Sequence, residues 1–217
     1  MPAPSSDPIS PLVEPLEQRR HLAASAELLD GVLTIVGTHK ADVIDLTVDS
    51  AFRQQVTVRL NGDVSRFTLT DVDGISIQAG QGNDVVHIDN GKVHLDQPTT
   101  IFGSGGNDTI RGGKGKDRIY GGAGADVLKG GDARDIIYGE GGNDLIDGEQ
   151  GNDALDGGTA NDTITGGLGI DRLFGGNGKD VLHSKDGAVD SVDGGNDSDT
   201  ATDHDDVLDN LTNVENS

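Results

Sequence analysis

The chain is 217 residues long, carries a formal net charge of −22 and has no cysteine and no tryptophan. That length admits one or two domains, the charge disfavours a polyphosphate partner such as nucleic acid, and the lack of cysteine rules out a disulfide framework. With aromatics at only 3%, a large packed core is not expected, and the composition sits near the disordered class unless its 38 acidic residues are neutralised.

Residues 1–29 stand apart, holding Pro2, Pro4, Pro8, Pro11 and Pro15. Met1–Glu14 reads as disordered, and Leu16–Leu29 as a short helix. No apolar run follows a basic start, so this is not an ordinary secretory signal. No run anywhere approaches the roughly 18 residues of a membrane helix. The segment around Leu16, Glu17 and Arg19 resembles the LEPR-XLL type of N-terminal motif, with His21 and Ala23 in place of the usual Leu and Ser. That resemblance implies a surface or exported bacterial protein. A plain charged amphipathic helix is the alternative.

Residues 30–102 are β-branched and alternating. Val32–Val36, Val43–Val48, Val56–Leu60, Phe67–Val72 and Ile75–Gln78 read as strands, separated by turns at Asn61-Gly62, Asp73-Gly74 and Asn90-Gly91. The expectation is irregular β-solenoid coils that cap a stack; a small separate β-domain is the alternative. Degenerate copies of the phrase described next surround Asp42 and Asp84.

Residues 103–183 repeat one nine-residue phrase without a slip. Its sixth position is Asp108, Asp117, Asp126, Asp135, Asp144, Asp153, Asp162, Asp171 and Asp180. Its first position is always glycine, and its eighth a large aliphatic such as Ile110, Leu128 or Leu182. Glycine at the first, second and fourth positions lets the backbone reach positive φ and turn sharply. Such turns aim carbonyls inward, and the aspartate adds a hard anionic oxygen. Carbonyls plus carboxylates are the donor set of Ca²⁺; Mg²⁺ dehydrates too reluctantly to suit it. Without cysteine or a recurring histidine, zinc and copper fit poorly. Candidate ligands are the nine aspartates and, through backbone carbonyls, Gly106, Gly113, Gly115, Gly122, Gly124, Gly142, Gly151, Gly167, Gly169, Gly176 and Gly178, with weaker candidates at Asp84, Asp190 and Asp199. The last three positions read as a short strand that can bury its aliphatic side only by stacking. Ala133 and Ala160 replace the fourth-position glycine, so the sites beside Asp135 and Asp162 are those expected to be impaired. Ser104, Glu140 and Glu149 replace the second, where less effect is expected.

The phrase GGxGxDxUx, with U a large aliphatic, resembles the RTX, or haemolysin-type, calcium-binding repeat. The resemblance implies an all-β fold, a right-handed parallel β-roll with two phrases per turn. It also implies one ion between each loop and the loop two phrases on, about seven Ca²⁺ in the regular array. Asp108, Asp126, Asp144, Asp162 and Asp180 would then line one edge and Asp117, Asp135, Asp153 and Asp171 the other. About seven such ions would offset about +14 of the charge, so binding and folding should be coupled. The roll is expected to be largely unfolded below millimolar calcium.

Residues 184–217 resume the register after one inserted residue, with Asp190 and Asp199, and close in an acidic segment read as a C-terminal cap with apolar Val207, Leu208, Leu211 and Val214. The chain carries no HExxH, no GxSxG and no Walker pattern. The first reading is thus no enzyme but an extracellular or surface structural and interaction module. Alternatives are a secretion or folding module related to RTX enzymes and toxins, and a polysaccharide-acting enzyme. Cell-surface or matrix polysaccharide, or a second copy, would dock on the even face, where Tyr120, Tyr138 and Phe174 form a ladder broken at Asp156. Ring stacking that only firms the sheet explains the same pattern.

Overall fold

The computed structural model describes residues 24–48, 55–88, 95–184, 186–202 and 209–216. The LEPR-XLL-like segment up to Ala23, the Asn90-Gly91 turn and the apolar Val207 and Leu208 lie outside the described residues.

The first strands are β1 (Ser25–Leu29), β2 (Val32–Val36), β3 (Val43–Val48), β4 (Gln55–Leu60), β5 (Asp63–Thr68), β6 (Gly74–Gln81) and β7 (Val85–Ile88). The repeats supply β8 (Thr99–Gly105), β9 (Thr109–Gly113), β10 (Arg118–Ala123), β11 (Val127–Asp132), β12 (Ile136–Gly141), β13 (Leu145–Gln150), β14 (Ala154–Thr159), β15 (Thr163–Thr165), β16 (Arg172–Asn177) and β17 (Val181–His183). The chain closes with β18 (Ser191–Asn196), β19 (Thr200–Thr202), β20 (Asn210–Thr212) and β21 (Glu215–Asn216).

These strands form two sheets, one of 10 strands running from β1 and β2 through β6, β8 and the even strands to β20, the other of 11 running from β5, β4 and β3 through β7, β9 and the odd strands to β21. Within the roll every pairing is parallel and joins residues two phrases apart, as Ile119 with Ile137 and Leu128 with Ile146. The chain is therefore an all-β parallel solenoid, a β-roll. Position eight of each phrase points between the sheets, so Ile110, Ile119, Leu128, Ile137, Ile146, Leu155, Ile164, Leu173 and Leu182 stack into one buried column set. Val192 and Ala201 continue it after the inserted residue, whose effect shows as a pairing offset between Leu173 and Val192 and between Leu182 and Ala201.

Most strands in the repeat are longer than the three residues expected. β12, for example, runs through the last three positions of one phrase and the first three of the next. Only positions four to six are left for the turn, which is why the turn is so dependent on close backbone approach.

The parallel stack ends in antiparallel pairing at its N-terminal side. β1 folds back on β2, and β4 and β5 form a meander on β3. A short helix over Leu16–Leu29 does not survive in the described part of that range. Asp30 and Gly31 at φ 49° and 80° make a two-residue hairpin turn, which places Ser25–Leu29 as a strand. Ala26 and Leu28 then pack on the core. The strand placed at Phe67–Val72 also shifts. β5 ends at Thr68, and Leu69–Asp71 form a 3-10 turn that leads into β6.

Core and surface positions in one rung should respond differently. Ile146 is fully buried and its neighbour Leu145 is 46% exposed. Ile146→Ala is expected to cost about 2–5 kcal/mol in the calcium-loaded protein, measured by denaturant unfolding, and Leu145→Ala under about 1 kcal/mol.

Candidate metal centre

Two columns of aspartates run along the two edges of the roll. In each, the backbone N–H of one aspartate donates to Oδ1 of the aspartate one turn on. On the odd edge Asp84 bonds Asp108 at 2.8 Å, Asp108 bonds Asp126 at 2.7 Å, and Asp126 and Asp144 bond Asp144 and Asp162 at 2.8 Å. Asp162 then bonds Asp180 at 2.8 Å and Asp180 bonds Asp199 at 2.9 Å. On the even edge Asp117, Asp135, Asp153 and Asp171 donate at 2.8 Å to Asp135, Asp153, Asp171 and Asp190. The candidate aspartates named from the sequence all fall in these two columns, including Asp84, which stands one turn from Asp108 despite a spacing of 24 residues.

The second oxygen of each carboxylate has no such partner. Oδ2 of Asp84, Asp108, Asp117, Asp126, Asp135, Asp144, Asp153, Asp162, Asp171, Asp180, Asp190 and Asp199 is buried and accepts no hydrogen bond. Burying an unpaired carboxylate oxygen is costly. In the carboxyls named next, desolvation raises the pKa against the opposing pull of the backbone N–H. Asp84, Asp117, Asp126, Asp144 and Asp190 rise to about 6, and Asp153 and Asp162 to about 7. Asp135 rises to about 8, because the carboxylates of Asp117, Asp153 and Asp132 add to its burial. Asp108, Asp171 and Asp180 are raised by the same desolvation.

The glycines serve the expected ends in part. Positive φ belongs to the second position, in every phrase, from Gly122 at 109° and Gly131 at 122° to the non-glycine Ser104 at 83°, Glu140 at 72° and Glu149 at 68°. The first position stays outside that region. Its glycine is required by space: a methyl group on Gly139 would lie 2.4 Å from Asp144 Oδ2 and 2.5 Å from the Gly157 carbonyl oxygen. Fourth-position glycines are packed onto the carbonyl one turn back, so a methyl group on Gly124 would lie 1.8 Å from the Gly106 oxygen. Positive φ also holds at fourth-position Gly106, Gly124, Gly142, Gly169 and Gly178, between 124° and 140°. Substitution is therefore strained there, as expected, and at the second position as well, where less effect was expected. Ala133 and Ala160 are also left-handed, at φ 73° and 82°. Yet Asp135 and Asp162 beside them keep the same 2.8 Å bonds as their neighbours.

Three features of the columns escaped the sequence reading. Position five carries a second, outer ladder, in which Asn83, Asn107, Asn143, Asn152 and Asn161 accept from the backbone one turn on at 2.8 to 3.0 Å. The even column opens on Thr99, whose N–H donates to Asp117 at 3.0 Å, and closes on Asp209, which accepts from Asp190 at 3.0 Å and from the Ser184 hydroxyl at 2.8 Å. The odd column opens on Asp42, and there the pattern changes. The Thr38 hydroxyl lies 3.0 Å from Asp42 Oδ2, the Thr38 N–H donates to the same oxygen, and the Asn61 amide donates to Oδ1. Asp42 thus has both oxygens satisfied by the protein itself, as does Asp209 at the far end of the even column.

Residues 99–128, 120–155 and 156–189 each match the family profile of the RTX calcium-binding nonapeptide repeat. The roll is an RTX repeat array. No curated protein and no solved structure matches the chain. As an RTX array the roll is a calcium-binding one, and its residues fit the ion on their own chemistry. Each RTX turn buries a partnerless anionic oxygen among backbone carbonyls, a hard donor set suited to Ca²⁺. Among the described residues no three acidic or imidazole side chains converge, so the donor set has to be rich in carbonyls, unlike a zinc site.

The two kinds of glycine can be told apart by substitution. Gly139→Ala is expected to destabilise the calcium-loaded RTX roll by about 1–3 kcal/mol through the clash at Asp144 Oδ2. Glu140→Gly, one residue on, should be neutral or stabilising, because it relieves a left-handed backbone. Thermal unfolding of both variants in saturating calcium checks this; equal losses in the two would refute the assignment.

Proposed function

We propose that this protein is a calcium-folded module that works in the extracellular space or at the cell surface, as a structural and interaction element and not as an enzyme. The observation that carries the reading is the pair of columns of buried, partnerless carboxylate oxygens. In a chain of net charge −22, such columns oppose folding at neutral pH until a cation joins them.

In this reading the aspartates of both columns hold calcium between successive turns, together with the second- and fourth-position carbonyls. The ion supplies a hard divalent charge that satisfies Oδ2 and the carbonyls at once. The protein's own part is to fix Oδ1 through the backbone N–H one turn back, so that each carboxylate enters with one oxygen already oriented. The regular rows offer about seven ions, and the intervals 84/108, 171/190 and 180/199, which carry the same bond and the same orphan oxygen, raise that to about ten. Asp42, served by Thr38 and Asn61, takes no ion and ends the odd column. A cytosol poor in calcium would leave the roll unfolded and fit for export, and the outside would fold it. Among the described residues no helix is long and apolar enough to cross a membrane. The lack of nucleophile and zinc motifs supports a role other than hydrolysis.

A calcium titration followed by circular dichroism tests this directly. Cooperative gain of β-structure is expected with a midpoint of about 10⁻⁴–10⁻³ M, and Mg²⁺ should not replace it. Asp144, between Asp126 and Asp162, serves two intervals, and Asp199 closes the odd column. Asp108 is not an end, since Asp84 precedes it. Asp144→Ala should therefore raise the midpoint more than Asp199→Ala does. Full β-structure in excess chelator at pH 8 would overturn the reading.

The raised carboxyl values fix the sign of the pH effect. A carboxyl whose folded value lies above its ordinary one favours the fold while protonated and loses that contribution as pH rises through the folded value. Calcium-free protein should accordingly be most stable below about pH 4 and lose stability progressively from there to about pH 8, the folded values running from about 6 at Asp126 to about 8 at Asp135. With calcium the dependence reverses, because the ion takes the ionised carboxylate, and the calcium midpoint should fall as pH rises. A calcium midpoint independent of pH between 5 and 8 would contradict this.

A further inference from the structure

The outer face of the even sheet carries a ladder of rings with one rung missing. Phe102, Tyr120 and Tyr138 stack along the roll, with centroids 4.9 and 5.1 Å apart and planes within 7° and 13° of parallel. Phe102 extends the ladder one rung beyond what the sequence pattern suggested; it stands 18 residues before Tyr120, in the turn preceding the strict repeat. The next position in register is Asp156, followed by Phe174. At that place a cavity of ≈ 320 Å³ opens, lined by Tyr138, Ala154, Asp156, Arg172, Phe174 and Asp193 among others. Tyr138 and Phe174 are two strand steps apart, about 9.6 Å. That is twice the ring spacing of the intact ladder, so the gap has room for one ring-sized body.

The lining decides what that body is. Its ends are aromatic and its floor is the small side chain of Ala154, whereas its polar groups are of both signs. Asp156 and Asp193 accept hydrogen bonds, and the Arg172 guanidinium only donates. A cation would meet Arg172, and an anion would meet two carboxylates. Asp193 already accepts from the Gly195 N–H at 3.1 Å and the Asn213 amide at 2.8 Å, and Asp156 from the Gly158 N–H. Their remaining acceptor sites and the Arg172 donors are what an aromatic ring would leave unmet. A neutral ring with apolar C–H faces and hydroxyls around its edge satisfies all of them. We propose that this gap is a binding subsite for one pyranose residue of a neutral glycan, held between Tyr138 and Phe174 with its hydroxyls on Asp156 and Arg172. The proposal deepens the reading of the roll as an interaction element and rests on it, since the two rings are held in register only by the folded sheet.

The test uses the full chain in saturating calcium, its β-structure checked by circular dichroism before any ligand is added. Short neutral oligosaccharides of glucose, galactose and mannose are then titrated and followed by calorimetry and saturation-transfer NMR. At least one of them is expected to bind, with transfer to the ring C–H protons of a single sugar residue. Asp156→Tyr, which restores the missing ring and fills the gap, should weaken binding by about tenfold or more and leave the calcium midpoint unchanged. Phe174→Leu, which removes one wall without touching the turns, should do the same and serves if Asp156→Tyr does not fold. Folded wild-type protein that binds none of these sugars, binding retained in both variants, or preference for choline or a sulfated glycan overturns the subsite. Failure to gain β-structure in calcium counts instead against the proposed function.

Discussion

One interaction sets the terms for the rest of this fold: the bond from an aspartate N–H to Oδ1 of the aspartate a turn away. It fixes the position of each turn over the next and holds the carboxylate in the interior of the edge. It also leaves Oδ2 buried with nothing to accept from. The same contact that locks the stack therefore loads it with anionic oxygen at strand spacing. A stack of this kind is complete as geometry and incomplete as electrostatics, which is the physical reason a divalent cation belongs to it.

The sequence constraints of the phrase follow from that arrangement. First-position glycine keeps a methyl group away from Oδ2 and the neighbouring carbonyl, as at Gly139. Fourth-position glycine lets one turn rest on the carbonyl of the turn before. The second position and most fourth positions make the left-handed bends, and Glu140, Glu149, Ala133 and Ala160 accept them at the cost of strain. For Glu149 an offset is visible, since its carboxylate bonds Arg111 at 2.7 Å and lies 3.5 Å from Lys129. The aliphatic column at position eight is thin, one side chain per rung. It cannot by itself hold turns whose edges repel.

The ends of the array show what the interior lacks. At the N-terminal end the odd column meets Asp42, whose oxygens are taken by Thr38 and Asn61. There the core also thickens, with Leu33, Ile35, Ile44, Leu46, Val56 and Val58 buried between strands that pair antiparallel. Protein donors and apolar area replace the cation in this part. Antiparallel β1 and β4 pair with β2 and β3, the last strands of the parallel stack, and β1 and β5 become the edge strands of the two sheets. The even column ends on Thr99 at one side and on Asp209, held by the Ser184 hydroxyl, at the other.

Much of this was legible in the chain itself. An unbroken period of nine, with glycine, aspartate and an aliphatic at constant offsets, points to short stacked rungs and to calcium as the fitting ion, because each rung meets its neighbours by the same rule. The two-sheet roll was what the resemblance to the RTX repeat implied. The hairpin at Asp30-Gly31 was equally present in the residues, as a turn that only φ > 0 permits. What the tertiary structure decided lies between rungs. That Asp84 joins the odd column across 24 residues, that Asp42 is satisfied while Asp84 is not, and that first-position glycine is a matter of space and not of φ all depend on which atoms face each other across a turn. So does the missing rung at Asp156, since side chains 18 residues apart become neighbours only when the sheet puts them there. Periodicity specifies the rule of stacking; the contacts that the stacking creates, and the places where it stops, belong to the folded molecule.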